Sequence, residues 1–259
     1  MRLIDAHAHL WPGGGDVLLA AMDAAGIERA CVSGLGPLFG MASDEDVLVL
    51  ARAHPDRIVP FACVRPGLTH IKDVRARLDE GFCGLKVTCP SADYDSPAHL
   101  DLWALAEERG APVLFHTGVV TVPNATRDDD VNSARMNPIL LAPIARAFPH
   151  LRIICAHLGI HWNDEAAEIA RFFPNVRVDL TGELTGWRAR WSAADLSRFL
   201  WWSGAWKQVI FGTDVRPGDV KAVVARDRAL WDELDLDETT RRKIAIENAL
   251  WWLGEKEDA

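Results

Sequence analysis

Short apolar runs alternate with amphipathic stretches along the whole chain. Eight runs read as strands: Leu3–His9, Arg29–Ser33, Ile58–Val64, Gly84–Val87, Pro112–Thr117, Arg152–His157, Val176–Thr181 and Gln208–Asp214. Most follow one another at roughly 30 residues, the length of a strand–helix unit, and only the step from Pro112 to Arg152 is clearly longer. Between them, apolar residues recur with the helical period of about 3.6. Asp16–Ala25 ends at Gly26, a residue suited to the left-handed closing position of a helix. Ser43 and Asp46 have capping-box spacing, and Ser96–Pro97 supplies an N-cap and a first-turn proline. Pro138–Ala147, Asn163–Phe172 and Ala193–Trp202 follow the fifth, sixth and seventh strands, and a last helical region runs from Glu238 to Leu253. Strands alternating with helices imply a parallel sheet joined by right-handed crossovers. That pattern admits a doubly wound open sheet or a (β/α)8 TIM barrel.

The polar positions choose between the two. The expected strand ends carry His7 and His9, His116, His157, and Asp214. Side chains two apart in a strand share a face, so His7 and His9 point together, with Asp5 below them. An open sheet separates its first and eighth strands. A closed barrel makes them neighbours, so one metal ion reaches both, at the end of the barrel where barrel enzymes keep their chemistry. A lone buried histidine is more often a hydrogen-bonded core group than a ligand. His54, His70, His99 and His150 fall in helices or loops, where solvation accounts for them. A His-x-His joined by two strand-end histidines and a strand-end aspartate asks for more. Three imidazole nitrogens and a carboxylate suit one divalent ion per chain, zinc first, with manganese, iron or cobalt also fitting and a position left for water.

Composition narrows the class. The 259 residues carry no flexible linker or composition shift, so residues 1–259 read as a single domain. Hydrophobic residues at 49% and charged residues at 25% describe an ordinary globular protein. The net charge of −9 opposes a nucleic-acid partner and a polybasic membrane anchor. No apolar run approaches the roughly 18 residues of a membrane span, and the N-terminus shows no leader pattern. Cys31, Cys63, Cys83, Cys89 and Cys155 are widely spaced without a Cys-x-x-Cys, as expected of reduced thiols in the cytoplasm.

Several segments are familiar together: DAHAHL at 5–10, GLK at 84–86, FHTG at 115–118, FPHLRIICAHLG at 148–159, PNVRVDLTG at 174–182, FGTD at 211–214 and IENALWWL at 246–253. In this order the chain resembles the amidohydrolase superfamily. It is more closely similar to the amidohydrolase-related branch that includes aminocarboxymuconate-semialdehyde decarboxylase and related metal-dependent hydrolases. The resemblance implies that His7, His9, His116 and Asp214 bind the metal, and that His157 polarises the substrate or transfers a proton. It also implies that Asp214 doubles as a general base. Lys86 stands where binuclear members carry a carboxylated, bridging lysine. The mononuclear branch does without that bridge, and an ion pair with a barrel carboxylate such as Asp179 is the plainer expectation. Metal-dependent DNases share the opening His-x-His, but GLKVT offers no strand-four glutamate, and the net charge disfavours a DNA cleft.

The expected activity is hydrolysis of a small organic substrate by a metal-activated water. The alternative is non-oxidative decarboxylation of an unsaturated or aromatic acid by the same ligands. A non-catalytic barrel that keeps a metal for stability is a third reading. Residues Gly118 to Asn137 form a loop of roughly twenty residues, well beyond the usual length, which is either a lid or a solvated insertion. Arg127, Arg135, Arg188, Arg190 and Arg216 are candidate partners for a substrate carboxylate. Trp11, Trp162, Trp187 and Trp191 could wall a pocket for a flat substrate. Trp201, Trp202, Trp206, Trp251 and Trp252 are assigned to packing or to a homodimer interface.

Overall fold

The computed structural model describes residues 1–255. Eight strands form one parallel sheet in sequence order: β1 (Leu3–His9), β2 (Ile27–Ser33), β3 (Ile58–Val64), β4 (Gly84–Val87), β5 (Val113–Phe115), β6 (Ile153–Cys155), β7 (Val176–Asp179) and β8 (Val209–Ile210). The sheet closes through two backbone hydrogen bonds, from Ala6 N to Phe211 O (3.0 Å) and from Asp214 N to His7 O (2.8 Å). The result is a (β/α)8 barrel, in which the first strand and the end of the eighth are neighbours. All of β1 and β4 is buried, as strands covered on both faces must be.

The helices around the barrel are α1 (Gly15–Ala25), α2 (Asp44–Ala53), α3 (Ile71–Glu80), α4 (Leu100–Glu108), α5 (Leu141–Ala147), α6 (Asn163–Phe172), α7 (Ala193–Phe199), α8 (Val220–Glu233), α9 (Glu238–Arg242) and α10 (Asn248–Leu253). Local chemistry sets their ends. Gly26 closes α1 at φ 73°. Ser43 and Asp46 exchange both capping-box hydrogen bonds at the start of α2. Ser96 accepts from Ala98 N, and Pro97 opens a 3-10 turn that leads into α4. Ser192 and Asp195 make a second capping box at α7, which stops at Phe199 rather than Trp202.

The structure departs from the sequence expectations in three further respects. Helices α3 and α8 lie outside the segments assigned above; α8 buries Val220, Val223, Val224, Leu230 and Trp231. The region 238–253 is interrupted by a π-helical turn at Lys243–Glu247, whose Ile244 carbonyl accepts from Phe211 N. Most importantly, His116, His157 and Asp214 sit just beyond their strands. His157 and Asp214 have φ of 59° and 49°, a region that L residues enter only when the surroundings compensate. The compensation is visible: His157 N donates to the Asp179 carboxylate (2.7 Å) and Asp214 N to His7 O. The backbone leaves the ladder at these two residues and turns their side chains into the barrel mouth.

Trp252 is buried and stacks on Phe61 (ring centroids 4.8 Å apart), so it is a packing residue, whereas Trp201 is 62% exposed. Among the described residues, no helix is long and apolar enough to cross a membrane.

Candidate metal centre

The centre is built from the ends of five strands. β1 brings His7 and His9, β4 Lys86, and β7 Asp179, while the residues after β5, β6 and β8 bring His116, His157 and Asp214. Ligand atoms of His7, His9 and Asp214 lie within 4.8 Å of one another, a grouping able to hold a divalent ion. His7 Nε2 is 3.8 Å and His9 Nε2 3.1 Å from Asp214 Oδ1. A second grouping, His7, His157 and Asp179, shares His7. His116 belongs to neither, yet its Nε2 is buried without any hydrogen-bond partner.

Hydrogen bonds identify which nitrogens are free. A carboxylate only accepts, so His7 Nδ1 donates to Asp179 Oδ2 (2.9 Å) and keeps its lone pair on Nε2. Thr181 Oγ donates to Asp179 Oδ1 (2.6 Å), which leaves the hydroxyl oxygen to accept from His157 Nδ1 (2.8 Å). His157 Nε2 then accepts from His116 Nδ1 (3.1 Å), and the lone pair of His116 falls on its orphaned Nε2. His9 Nδ1 donates to Ser33 O (3.1 Å), leaving Nε2 facing Asp214. Three imidazole lone pairs and one carboxylate therefore lack their own protons. A buried orphan nitrogen and a lone pair set against a carboxylate are both satisfied by a cation, so this donor set fits a divalent metal.

The electrostatics agree. Burial, and then the Lys86 ammonium, pushes His7 down to about 3, so it is neutral, as a ligand must be. Burial, and then His157, holds His116 well below its ordinary value. Burial also lowers His157, against the pull of Asp214 and Asp179. Burial would raise Asp179, but the His7 imidazole and the Thr181 hydroxyl outweigh it and hold the carboxyl below its ordinary range. Asp214 is likewise held down, chiefly by His7 and His9, and remains 22% exposed. Burial lowers Lys86 to about 8. The nearest partner of Lys86 is not Asp179: its Nζ lies 2.8 Å from His7 Nε2, because Asp179 is already engaged by His7, His157 and Thr181.

Two supporting groups exceed the sequence reading. Asp5 accepts from His7 N (2.9 Å), Thr213 N (3.0 Å) and Thr213 Oγ (2.6 Å), tying β1 to the segment that ends in Asp214. Burial raises its carboxyl to about 7. Thr181 links the histidines to Asp179. Neither had a signal beyond its place two residues from a strand-end polar group. His99, expected in solvent, is buried edge-on against Trp103.

Beside the centre lies a cavity of about 220 Å³ lined by Ile160, His161, Trp187, Arg190, Trp191 and Phe199, with Asp195 at its edge. The cavity flanks the metal grouping, and Trp187 joins the two, its ring 6.2 Å from that of His157. Of the four expected wall tryptophans, Trp187 and Trp191 line it, whereas Trp11 lies under the Arg216 guanidinium.

The candidate arginines separate clearly. Arg188 is 1% exposed and pairs with both oxygens of Asp227 (2.9 Å each), while donating to the carbonyls of Gly182, Gly212 and Thr213. It is a buried clamp between the wall loop and the approach to Asp214, with no donor left for a substrate. Arg135 is engaged by Asp130 and Pro90 O, and Arg127 is 95% exposed beside Asp128. The long loop is anchored by Asn124 to Pro37 O (2.6 Å) and by Arg65 to Asp130 O (2.8 Å).

No curated protein matches the chain. Similar solved structures include an uncharacterised TIM-barrel protein from Bordetella bronchiseptica (20% identity, TM-score 0.74, covering 98% of this chain and 100% of that one). They also include a 2,6-dihydroxybenzoate decarboxylase from Rhizobium (16%, 0.67, 98% and 99%). A third is a probable 2-pyrone-4,6-dicarboxylic acid hydrolase from Acinetobacter baumannii with citric acid bound (12%, 0.68, 98% and 100%). At such identities the likeness is one of fold. A family model described as amidohydrolase matches residues 4–254, so nearly the whole chain, from the first strand to the last helix, belongs to the amidohydrolase family.

Proposed function

We propose that the protein is a metal-dependent decarboxylase of a planar unsaturated or aromatic acid. In this reading His7, His9 and His116, through Nε2, and Asp214 hold one ion, with zinc the first choice. The carrying observation is the cavity beside His157, whose indole and phenyl walls suit a flat ring. The same barrel in a 2,6-dihydroxybenzoate decarboxylase supports the reading.

The ion, when bound, supplies positive charge that holds and polarises a substrate oxygen. The chain supplies the rest. Asp179 and Thr181 fix the tautomers of His7, His157 and His116. Because Thr181 engages Nδ1, His157 gives or takes a proton at Nε2. Decarboxylation breaks the bond between the ring carbon and the carboxyl carbon. Carbon dioxide departs, the electron pair stays on the ring carbon, and protonated His157 delivers the proton there and regains one from solvent. The Trp187 ring keeps water from one side of His157.

Hydrolysis is the second reading. It is favoured by the partial exposure of Asp214, which lets that carboxylate take a proton from an attacking water, and by the shared fold of a probable 2-pyrone-4,6-dicarboxylic acid hydrolase. Incubating zinc-loaded protein with hydroxybenzoic acids and with lactones, while recording both carbon dioxide and ring-opened acid, separates them. Metal-dependent carbon dioxide release supports decarboxylation. Ring-opened acid without carbon dioxide contradicts it.

A further inference from the structure

The cavity beside His157 holds two side chains that the reaction above does not use. Arg190 and His161 line it together, and among the described residues neither side chain has a hydrogen bond or ion pair. Their neighbours in the wall are firmly committed. Arg226 donates to the carbonyls of Arg188 and Trp191 and pairs with Asp227, and Arg188 clamps the same loop from within. Asp195, the acid at the cavity edge, gives Oδ2 to the Ser192 N–H (3.0 Å) and hydroxyl (2.6 Å) as the cap of α7. The wall loop thus carries two anchored arginines and one that is free, and the free one faces the space beside the candidate catalytic histidine.

Such a cavity combines flat apolar walls with a guanidinium fork and an imidazole at one end. A planar ring bearing an anionic substituent satisfies all three. A carboxylate takes the two parallel hydrogen bonds of a guanidinium, and the indoles of Trp187 and Trp191 receive the ring. The reacting carboxyl of an acid substrate must lie at the metal grouping, so an anion reaching Arg190 is a second one on the same molecule. We infer that this cavity selects a planar dicarboxylic acid, with Arg190 as the bidentate partner of the distal carboxylate and His161 as a second donor. The inference rests on the decarboxylase reading for the place of the reacting carboxyl, and on the cavity alone for the distal one.

The test is a binding measurement that needs no turnover. Isophthalate and benzoate are titrated into the full-length, zinc-loaded protein by calorimetry, with wild type compared with Arg190→Met, Arg190→Lys and His161→Gln. Wild type should bind isophthalate at least tenfold more tightly than benzoate. Arg190→Met should weaken isophthalate at least tenfold and leave benzoate within twofold. Arg190→Lys should recover part of the loss, because an ammonium keeps the charge but not the fork. His161→Gln should weaken isophthalate by less. Arg190 makes no contact that folding needs, so an unchanged melting temperature should accompany its loss. Equal binding of the two acids by wild type, failure to bind either, or a dicarboxylate preference that survives Arg190→Met overturns the inference. If no acid releases carbon dioxide and the Arg190-dependent preference is still seen, the decarboxylase reading falls and the pocket assignment stands.

Discussion

Asp179 makes the most far-reaching contacts of any single residue in the centre. It was legible in the sequence only as a polar residue at the edge of the site. In the fold it is fully buried and holds His7 Nδ1, His157 N and Thr181 Oγ. Partners of this kind fix the ligand tautomer, and their loss typically costs about 10–100-fold in metal affinity. Asp179→Asn should therefore weaken zinc binding by about that factor, measured by competition with a chromogenic chelator. An unchanged affinity would remove Asp179 from its orienting role. His7, His9, His116, His157 and Asp214 could be picked out of the sequence because each type is metal-competent and each ends an apolar run. Asp5, Thr181 and His161 could not, since one buried polar residue among many carries no pattern of its own. Arg188 and Arg190 look equivalent in sequence. Only packing reveals that Asp227 on α8, some forty residues on, consumes the first and leaves the second free.

Among the elements, those with strong local signals lie where the chain predicts them. The capping box of α2 follows directly from Ser43 and Asp46, and the closing turn of α1 from Gly26. The ends of β5, β6 and β8 come out shorter than the apolar runs. Their last residues exchange ladder bonds for contacts with Asp179 and with β1, which are distant in sequence. The α2 cap provides a test at this scale. Ser43→Ala should cost about 1 kcal/mol at neutral pH, read from denaturant unfolding. The Ser43 hydroxyl and N–H hold the Asp46 carboxyl below its ordinary 3.8. A lowered folded-state value means that the contribution of Asp46 is present above pH 3.8 and is lost as pH falls through the folded-state value. The difference between wild type and Ser43→Ala should thus shrink on acidification. A difference that grows toward low pH would contradict the cap.

Across the whole molecule, barrel closure does the decisive work, because it sets Asp214 beside His7 through the hydrogen bond from Asp214 N to His7 O. The need for one ion to touch both ends of the chain was the sequence argument for a barrel, and the closed sheet meets it. A metal that binds the folded chain and not the unfolded one stabilises it by mass action, about 2.7 kcal/mol at a hundredfold excess over Kd. Chelation should therefore lower the melting temperature, and zinc should restore it. A melting curve indifferent to chelator would mean that the barrel closes without help from the centre. The account turns on which histidines hold the ion, and elemental analysis of purified wild type, His116→Ala and His157→Asn measures that directly. The expected result is close to one divalent ion per chain in wild type, a sharp loss in His116→Ala, and full occupancy in His157→Asn, with turnover down by about a thousandfold in the last. An emptied His157→Asn beside a filled His116→Ala would exchange the two roles, and two ions per chain would contradict the single centre.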